Sequence, residues 1–368
     1  MAKRLPVTVI TGFLGAGKTT VLRHLLTRGG QRLAVMVNEF GSVGLDGDLI
    51  RSCGFCPEEE VDGRLVELNN GCLCCTVQDD FLPTMETLLE RADQLDGIVV
   101  ETSGLALPRP LLQALDWPAI RSRVHVNGVV TLVDGEALAA GSPVADAEAL
   151  ERQRAEDPSL DHLTAIDDLF EDQLQAADLV LISRADCLDA SAMAEVQGRI
   201  KDKVRPGTLL LPVSQGQVET SVVLGLEHKP TPQEAHTHHD DHHDHDHHDH
   251  SHVDMVGSNV RVEGAFDRQA LEQLLPSLVS NLQVVRLKGR VWLPSKTLPL
   301  QIQMVGPRLN SWFEAAPSHA WRPDQGCGAD LVVLALNEAA APALESGLQR
   351  LVQATPAKAS PAAATPES

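Results

Sequence analysis

Val7-Thr8-Val9-Ile10-Thr11-Gly12-Phe13-Leu14-Gly15-Ala16-Gly17-Lys18-Thr19-Thr20 is the stretch that decides the fold. Its first five residues form an apolar, β-branched run of the kind that makes a buried strand. Gly12 to Thr19 then match G-x-x-x-x-G-K-[ST], with a helical pattern behind them. The glycines let backbone N–H groups turn inward around a β-phosphate. Lys18 brings a point charge to the β and γ oxygens, Thr19 offers a hydroxyl to Mg²⁺, and the helix N-terminus adds its partial positive charge. The nucleotide-binding set in this loop is Gly12, Gly15, Ala16, Gly17, Lys18, Thr19 and Thr20. A glycine turn that merely opens a helix would need neither the Lys-Thr pair nor the strand before it.

A loop of this kind needs an acidic residue at the end of a neighbouring strand to hold the Mg²⁺ shell. Ile98-Val99-Val100-Glu101-Thr102-Ser103-Gly104 supplies it. Glu101 ends an apolar strand and is expected to act through water, while Gly104 can place a backbone N–H near the γ-phosphate. Lys18 and Glu101 are thus the candidate catalytic residues, with Thr19 and Glu101 beside the magnesium. The plain alternative is a strand-end carboxylate without a role. Further on, Leu179–Ile182 leads into Ser183-Arg184-Ala185-Asp186, which resembles the N/T-K-x-D motif that reads guanine. Asp186 would accept both the N1–H and the exocyclic amine, a pair that adenine cannot offer. Arg184 stands where Lys is usual, yet its aliphatic stem can still lie along the base. The base-binding set is Ser183, Arg184 and Asp186, GTP is the expected nucleotide, and ATP is the alternative.

Gly71-Cys72-Leu73-Cys74-Cys75-Thr76 places three thiols within four residues, a set that can converge on one soft or borderline divalent ion. A free thiol titrates near pKa ~8.5, so metal binding must displace protons and is pH-dependent. Two other readings stay open. Cys53-Gly54-Phe55-Cys56 has the C-x-x-C spacing of redox sites, and the same two thiols could complete a four-thiol structural zinc site. A second metal-binding composition lies between His236 and His252, where ten histidines (His236, His238, His239, His242, His243, His245, His247, His248, His250 and His252) interleave with Asp240, Asp241, Asp244, Asp246 and Asp249. It is internal rather than terminal, which favours weak auxiliary metal sites, a reservoir or acquisition arm, over an affinity tag.

The same tract marks the domain boundary. Up to about Leu226 apolar runs alternate with amphipathic segments, the pattern of an α/β sheet with crossover helices. Strands are expected at Pro6–Thr11, Leu33–Asn38, Gly97–Glu101, Asn127–Asp134, Asp178–Ser183 and Thr208–Val213. Helices are expected at Lys18–Arg28, Phe81–Ala92, Leu163–Ala176 and Ala190–Lys203. After the tract, Ser258–Phe266, Gln283–Leu293, Leu298–Val305 and Leu331–Leu336 look strand-like, and Arg268–Ser280 and Ala339–Val352 look helical. The expected fold is α/β: a P-loop NTPase domain with a mostly parallel sheet (1–226), a disordered His/Asp-rich linker (227–257), a smaller C-terminal α+β domain (258–352) and a frayed tail (353–368).

The chain has 368 residues, 43% of them apolar and only 3% aromatic, with no Tyr, so Leu, Val, Ile and Ala must fill the cores. Its formal charge of −21 argues against nucleic acid, whose affinity comes from Lys and Arg neutralising phosphates, and against an anionic membrane surface. No N-terminal targeting segment is recognisable before the glycine loop, and a cytoplasmic location is expected. Seven cysteines, an odd number, fit reduced thiols better than a disulfide framework.

With a P-loop, an E-x-x-G strand end and G-C-x-C-C together, the sequence resembles the CobW family of metallochaperone GTPases, relatives of the nickel-handling HypB and UreG. The resemblance runs over nearly the whole chain and extends to Asn38-Glu39-Phe40-Gly41 with Gly44-Leu45-Asp46-Gly47-Asp48, Thr76–Thr84, Glu101–Pro108, Arg154-Ala155-Glu156-Asp157, Leu169–Leu174 and Leu287-Lys288-Gly289. It implies that the nucleotide-bound protein captures Co²⁺ at Cys72, Cys74 and Cys75 and releases it to the aerobic cobaltochelatase of cobalamin biosynthesis. A zinc chaperone of the same family, serving a client metalloenzyme, is the alternative. The resemblance also implies that Asn38–Gly41 belongs to a switch region, with Glu39 a ligand near the nucleotide Mg²⁺ or the carried metal. Slow intrinsic hydrolysis is expected, and a nucleotide- or metal-dependent homodimer is compatible with it. Two readings outside this class are a metal buffer with a vestigial P-loop and a P-loop kinase or ATPase acting on a small molecule.

Overall fold

A computed structural model of the chain describes residues 4–28, 31–37, 65–67, 81–146, 148, 150–152, 166–225, 255–318 and 320–354. The chain separates into two compact units, Met1–Asp254 and Met255–Ser368.

The first unit is built on a seven-stranded sheet. Its strands are β1 (Leu5–Gly12), β2 (Leu33–Val37), β3 (Leu65–Glu67), β4 (Gly97–Glu101), β5 (Val124–Asp134), β6 (Leu179–Ser183) and β7 (Leu209–Pro212). They lie in the order β3-β2-β4-β1-β5-β6-β7, and every pairing is parallel. Every residue of β1, β4 and β6 is buried, because strands covered by helices on both faces have no polar side to show. The connections are α1 (Lys18–Arg28), α2 (Leu82–Glu90), α3 (Pro108–Leu115), α4 (Gly135–Ala139), α5 (Ile166–Ala176), α6 (Ala190–Lys201) and α7 (Thr220–Leu224). One core cluster joins Leu5, Val7 and Val9 of β1 to Met85, Leu88 and Leu89 of α2 and Leu111 and Leu115 of α3. Another joins Val180 and Ile182 of β6 to Leu169, Phe170 and Leu174 of α5 and Val196 and Ile200 of α6.

The strand order sets the position of any ligand. From β1 the chain runs outward through β2 to β3. After β4 it crosses to β5 on the opposite side of β1. The crevice outside the carboxyl ends at this switch point is where open parallel sheets bind their ligands. Glu101, the last residue of β4, is in register with Ile10 of β1 and with Val37 of β2, and Val37 is in register with Glu67 of β3.

The second unit is a five-stranded antiparallel sheet, β8 (Val256–Glu263), β9 (Val284–Trp292), β10 (Leu300–Val305), β11 (Arg308–Phe313) and β12 (Gly328–Ala335), in the order β11-β10-β9-β12-β8. It carries α8 (Arg268–Asn281) and α9 (Ala340–Ala354). Leu271, Leu275 and Val279, each four residues apart on α8, and Leu344 and Leu348 of α9 pack on Val260, Val262, Leu287, Val291, Ile302, Met304, Leu331 and Val333. Asp267 caps α8 by accepting the Ala270 N–H at 2.9 Å.

Among the described residues, three helices and two strands lie outside the elements that the sequence marks. Pro108 and Pro110 disguise α3, yet proline is at home in the first turn, where its missing N–H has no partner to lose. β3 is only three residues long. β11 (Arg-Leu-Asn-Ser-Trp-Phe) is half-buried at every position, so it shows no apolar alternation. The short helices α4 and α7 span five residues each, too few to show a period. Among the described residues, no helix is long and apolar enough to cross a membrane.

Candidate functional site

The glycine loop leaves β1 at Gly12, whose φ of +138° only glycine adopts without strain. A Cβ there would lie 2.3 Å from the carbonyl oxygen of Leu132, so the loop passes directly against β5. Lys18 opens α1 and is nearly buried, and its Nζ donates to the carbonyls of Gly12 at 2.9 Å and Phe13 at 3.0 Å. The ammonium is therefore held inside the curve of its own loop.

Glu101 is 3% exposed, and the Thr19 hydroxyl donates to its Oε1 at 3.4 Å. This pair bears on the Mg²⁺ that a triphosphate carries. Two neighbouring ligands of an octahedral Mg²⁺ at ~2.1 Å stand about 3.0 Å apart. A hydroxyl and a carboxylate at 3.4 Å are close enough to serve one such ion. Both are hard oxygen donors of the kind Mg²⁺ prefers.

The turn after Glu101 is fastened on two sides. Thr102 donates its N–H to Ile10 O at 2.9 Å and its hydroxyl to Thr11 Oγ1 at 2.9 Å. Gly104 lies so close to the glycine loop that a Cβ would come within 2.6 Å of the Leu14 nitrogen. Gln173 of α5, 1% exposed, donates Nε2 to Gly104 O at 3.1 Å and to Ala106 O at 3.3 Å.

Ser183, Arg184 and Asp186 follow β6 at the same sheet edge. Ser183 donates its hydroxyl to Val133 O at 3.2 Å, and its Cβ lies 3.6 Å from where a Cβ on Gly17 would sit, so this segment adjoins the glycine loop. Arg184 adopts the left-handed conformation (φ 54°), uncommon for a side chain of this size, and pairs with the buried Asp134 at 2.8 Å. Ala185–Cys187 then form one 3₁₀ turn that leaves Asp186 exposed. The turn is tied to the end of β7 by the Ala185 N–H, which donates to Val213 O at 3.3 Å.

Sequence reasoning did not mark Asp134, Gln173 or the Ser214–Gly216 turn. Gly216 sits where a Cβ would meet Thr20 Cγ2 at 2.8 Å, so the turn after β7 also borders the phosphate loop. The signal for that turn was its position, a polar Ser-Gln-Gly run at a strand end on the ligand edge. Asp134 carried a similar signal, as the last residue of an apolar strand. Gln173 lies in the Leu169–Leu174 stretch that carries the family resemblance, but by itself a glutamine within a helix reads as a solvated residue.

Glu39, Cys53, Cys56, Cys72, Cys74, Cys75 and the ten histidines from His236 to His252 lie outside the described residues. Among the described residues, no group of three or more His, Cys, Asp or Glu could hold a metal ion. The cysteines there, Cys187 and Cys327, are free thiols, and burial pushes Cys327 up from its ordinary value.

A central strand, a glycine loop closing on a buried lysine, and a strand-end carboxylate beside the following threonine define a P-loop nucleoside triphosphatase. Residues 6–211 match the family described as CobW/HypB/UreG, nucleotide-binding domain, and residues 255–352 match the cobalamin synthesis protein cobW C-terminal domain. The chain belongs to the CobW/HypB/UreG family of metallochaperone GTPases, and it is a GTPase. It is 46% identical over 342 residues to the zinc chaperone CobW of Pseudomonas aeruginosa, covering 90% of this chain and 87% of that one. It is 40% identical over 354 residues to the zinc chaperone CobW of a Sinorhizobium species, covering 95% and 98%. Among solved structures, the Zn(II)-bound YjiA GTPase from E. coli aligns over 95% of this chain and 99% of that one at 18% identity, with a TM-score of 0.39.

Proposed function

We propose that this GTPase loads a transition metal, zinc first, at Cys72, Cys74 and Cys75 and hands it to a client metalloprotein under the control of bound nucleotide. One observation carries the coupling. Glu67 ends β3 in register with Val37, which is in register with Glu101. With strands ~4.8 Å apart, the backbone of Glu67 is only about 10 Å from that of Glu101 across the sheet. The chain enters the Asn38–Gly41 segment directly from Val37, and reaches Cys72 five residues after Glu67. Both departures are from the ligand edge.

In this reading Gly12–Thr20 cradle the phosphates, Lys18 faces the β and γ oxygens, and Gly104 offers its N–H to the γ-phosphate. Thr19 and Glu101, with Glu39, hold the Mg²⁺, which neutralises charge on the β and γ oxygens during transfer. Ser183, Arg184 and Asp186 read guanine. A γ-phosphate that orders the segment after β2 would change the affinity of the thiols after β3, and hydrolysis would release the cargo.

Zinc is placed first because the Pseudomonas aeruginosa and Sinorhizobium relatives are named zinc chaperones, and because thiolate sites bind Zn²⁺ more tightly than Co²⁺. The cobalt reading, with the aerobic cobaltochelatase as client, is supported by the C-terminal match to the cobalamin synthesis protein cobW domain. Competitive Zn²⁺/Co²⁺ titration of wild type and Cys72→Ala, with Mg-GTP present, separates them. Zinc is expected to displace cobalt. Cys72→Ala is expected to lose more than the roughly 10–100-fold that follows when a ligand merely loses the group hydrogen-bonded behind it. Preferential retention of Co²⁺ in the presence of zinc would favour the cobalt reading. Unchanged affinity in Cys72→Ala would remove the thiol site from the proposal.

A further inference from the structure

The geometry points to Gln173 as the positioning residue that aims the Gly104 N–H at the γ-phosphate, making α5 one of the elements that distinguish GTP from GDP. This inference rests on the proposed contact between Gly104 and the γ-phosphate.

The Ser103–Gly104 peptide is held from both ends. Upstream, Thr102 is bonded through its N–H to Ile10 and through its hydroxyl to Thr11, both in β1. Downstream, the carboxamide of Gln173 bridges the carbonyls of Gly104 and Ala106. The Ala106 N–H closes the turn on Ser103 O at 3.1 Å. Only the NH₂ of the carboxamide can face two carbonyls, so its orientation is fixed by chemistry. With the Gly104 carbonyl held, the residue's ψ is set, and the short segment back to Thr102 has little freedom left to turn its N–H elsewhere.

The same helix reaches the glycine loop. Phe170, three residues before Gln173 and so on the same face of α5, packs its ring against Phe13 with centroids 5.9 Å apart. Phe13 belongs to the phosphate loop, and its carbonyl accepts from Lys18. One face of α5 therefore supports the loop around the β-phosphate through Phe170 and the turn at the γ-phosphate through Gln173. Gln173 is itself tied to the sheet, since its backbone carbonyl accepts from the Thr131 hydroxyl at 3.2 Å. A side chain 1% exposed spends both N–H bonds on one three-residue turn, so replacing it takes the donor away from two carbonyls of that turn.

Gln173→Met keeps the volume and removes the donors. Gln173→Glu keeps the shape and sets an acceptor against two carbonyl oxygens. For both, affinity for Mg-GDP is expected to stay within about twofold of wild type. Affinity for a non-hydrolysable GTP analogue is expected to fall roughly tenfold, and kcat by a similar factor. A purely structural glutamine would lower the thermal midpoint and weaken both nucleotides together, and that result overturns the proposal. If Gln173→Glu does not fold, Gln173→Met decides alone. If neither folds, Gln173→Leu, which also removes the donors, takes their place with the same two outcomes, and amide exchange at Gly104 in the wild type is measured with the analogue and with GDP. That measurement also separates the two levels of the argument. Equal exchange at Gly104 with analogue and GDP removes the γ-phosphate contact itself. Selective protection together with an unchanged analogue/GDP ratio in the variants removes only Gln173.

Discussion

Lys18→Ala is expected to lower kcat for GTP hydrolysis by about 10²–10³-fold, the loss that follows when one fixed donor is removed from developing charge in a water-poor site. The reason lies in where the ammonium is held. It is 8% exposed and bonded to two carbonyls of the loop that surrounds the phosphates, so no solvent reorganisation is needed when the triphosphate arrives. Alanine keeps α1 intact, because its intrinsic helix propensity is the highest of all residues. The thermal midpoint should therefore move by only a few degrees while turnover collapses. Arginine should not rescue it, since a planar fork cannot occupy a space shaped for a compact ammonium. Phosphate release at saturating Mg-GTP is the measurement. A rate within tenfold of wild type would mean that Lys18 does not face the transferring phosphoryl group.

The second large effect is on folding. Gly12→Ala adds a Cβ at a φ of +138°, 2.3 Å from the Leu132 carbonyl oxygen. The dihedral alone costs about 1–3 kcal/mol. The contact is with backbone in the neighbouring central strand, which cannot swing aside as a side chain would. A total of about 4 kcal/mol or more is expected, in the range reserved for a few severe mechanisms. For a unit of this size that lowers the midpoint by roughly 8–16 °C. Gly15→Ala is the control. Its φ is also positive (+77°), but nothing lies within 4 Å of the added carbon, so only about 1–2 kcal/mol is expected. Thermal unfolding of the full chain, read at the transition of the nucleotide unit, compares them. Equal midpoints for the two variants would contradict the close approach to β5.

The loop from Gly12 to Thr19 was legible because its chemistry is local. A strand, a glycine turn and a helix start follow one another, and each has its own residue signature. Glu101 stood out for a related reason, as a polar residue that ends an apolar strand at the edge where parallel sheets bind ligands, and Asp186 as one three residues past the end of another. Their partners were not legible. Asp134 meets Arg184 across a gap of fifty residues, and Gln173 meets Gly104 across sixty-nine, so nothing in either segment announces the other. The parallel sheet was readable from runs buried on both faces. β11 escaped because a half-buried edge strand has no periodic apolar face, and α3 escaped because two prolines mask a helix start that they in fact favour. The C-terminal unit shows the converse case. Its alternating strands and the spacing of Leu271, Leu275 and Val279 marked it as α+β before any pairing was known.

The account turns on the claim that nucleotide and metal sense each other through the sheet edge that Glu101, Val37 and Glu67 share. The direct measurement is the Zn²⁺ dissociation constant of the full chain in the presence of Mg-GDP and of Mg with a non-hydrolysable GTP analogue. Zinc is expected to bind about 5–150-fold more tightly with the analogue, the range of ordinary allosteric coupling, and by linkage zinc should tighten analogue binding by the same factor. One zinc affinity in both nucleotide states would contradict the account.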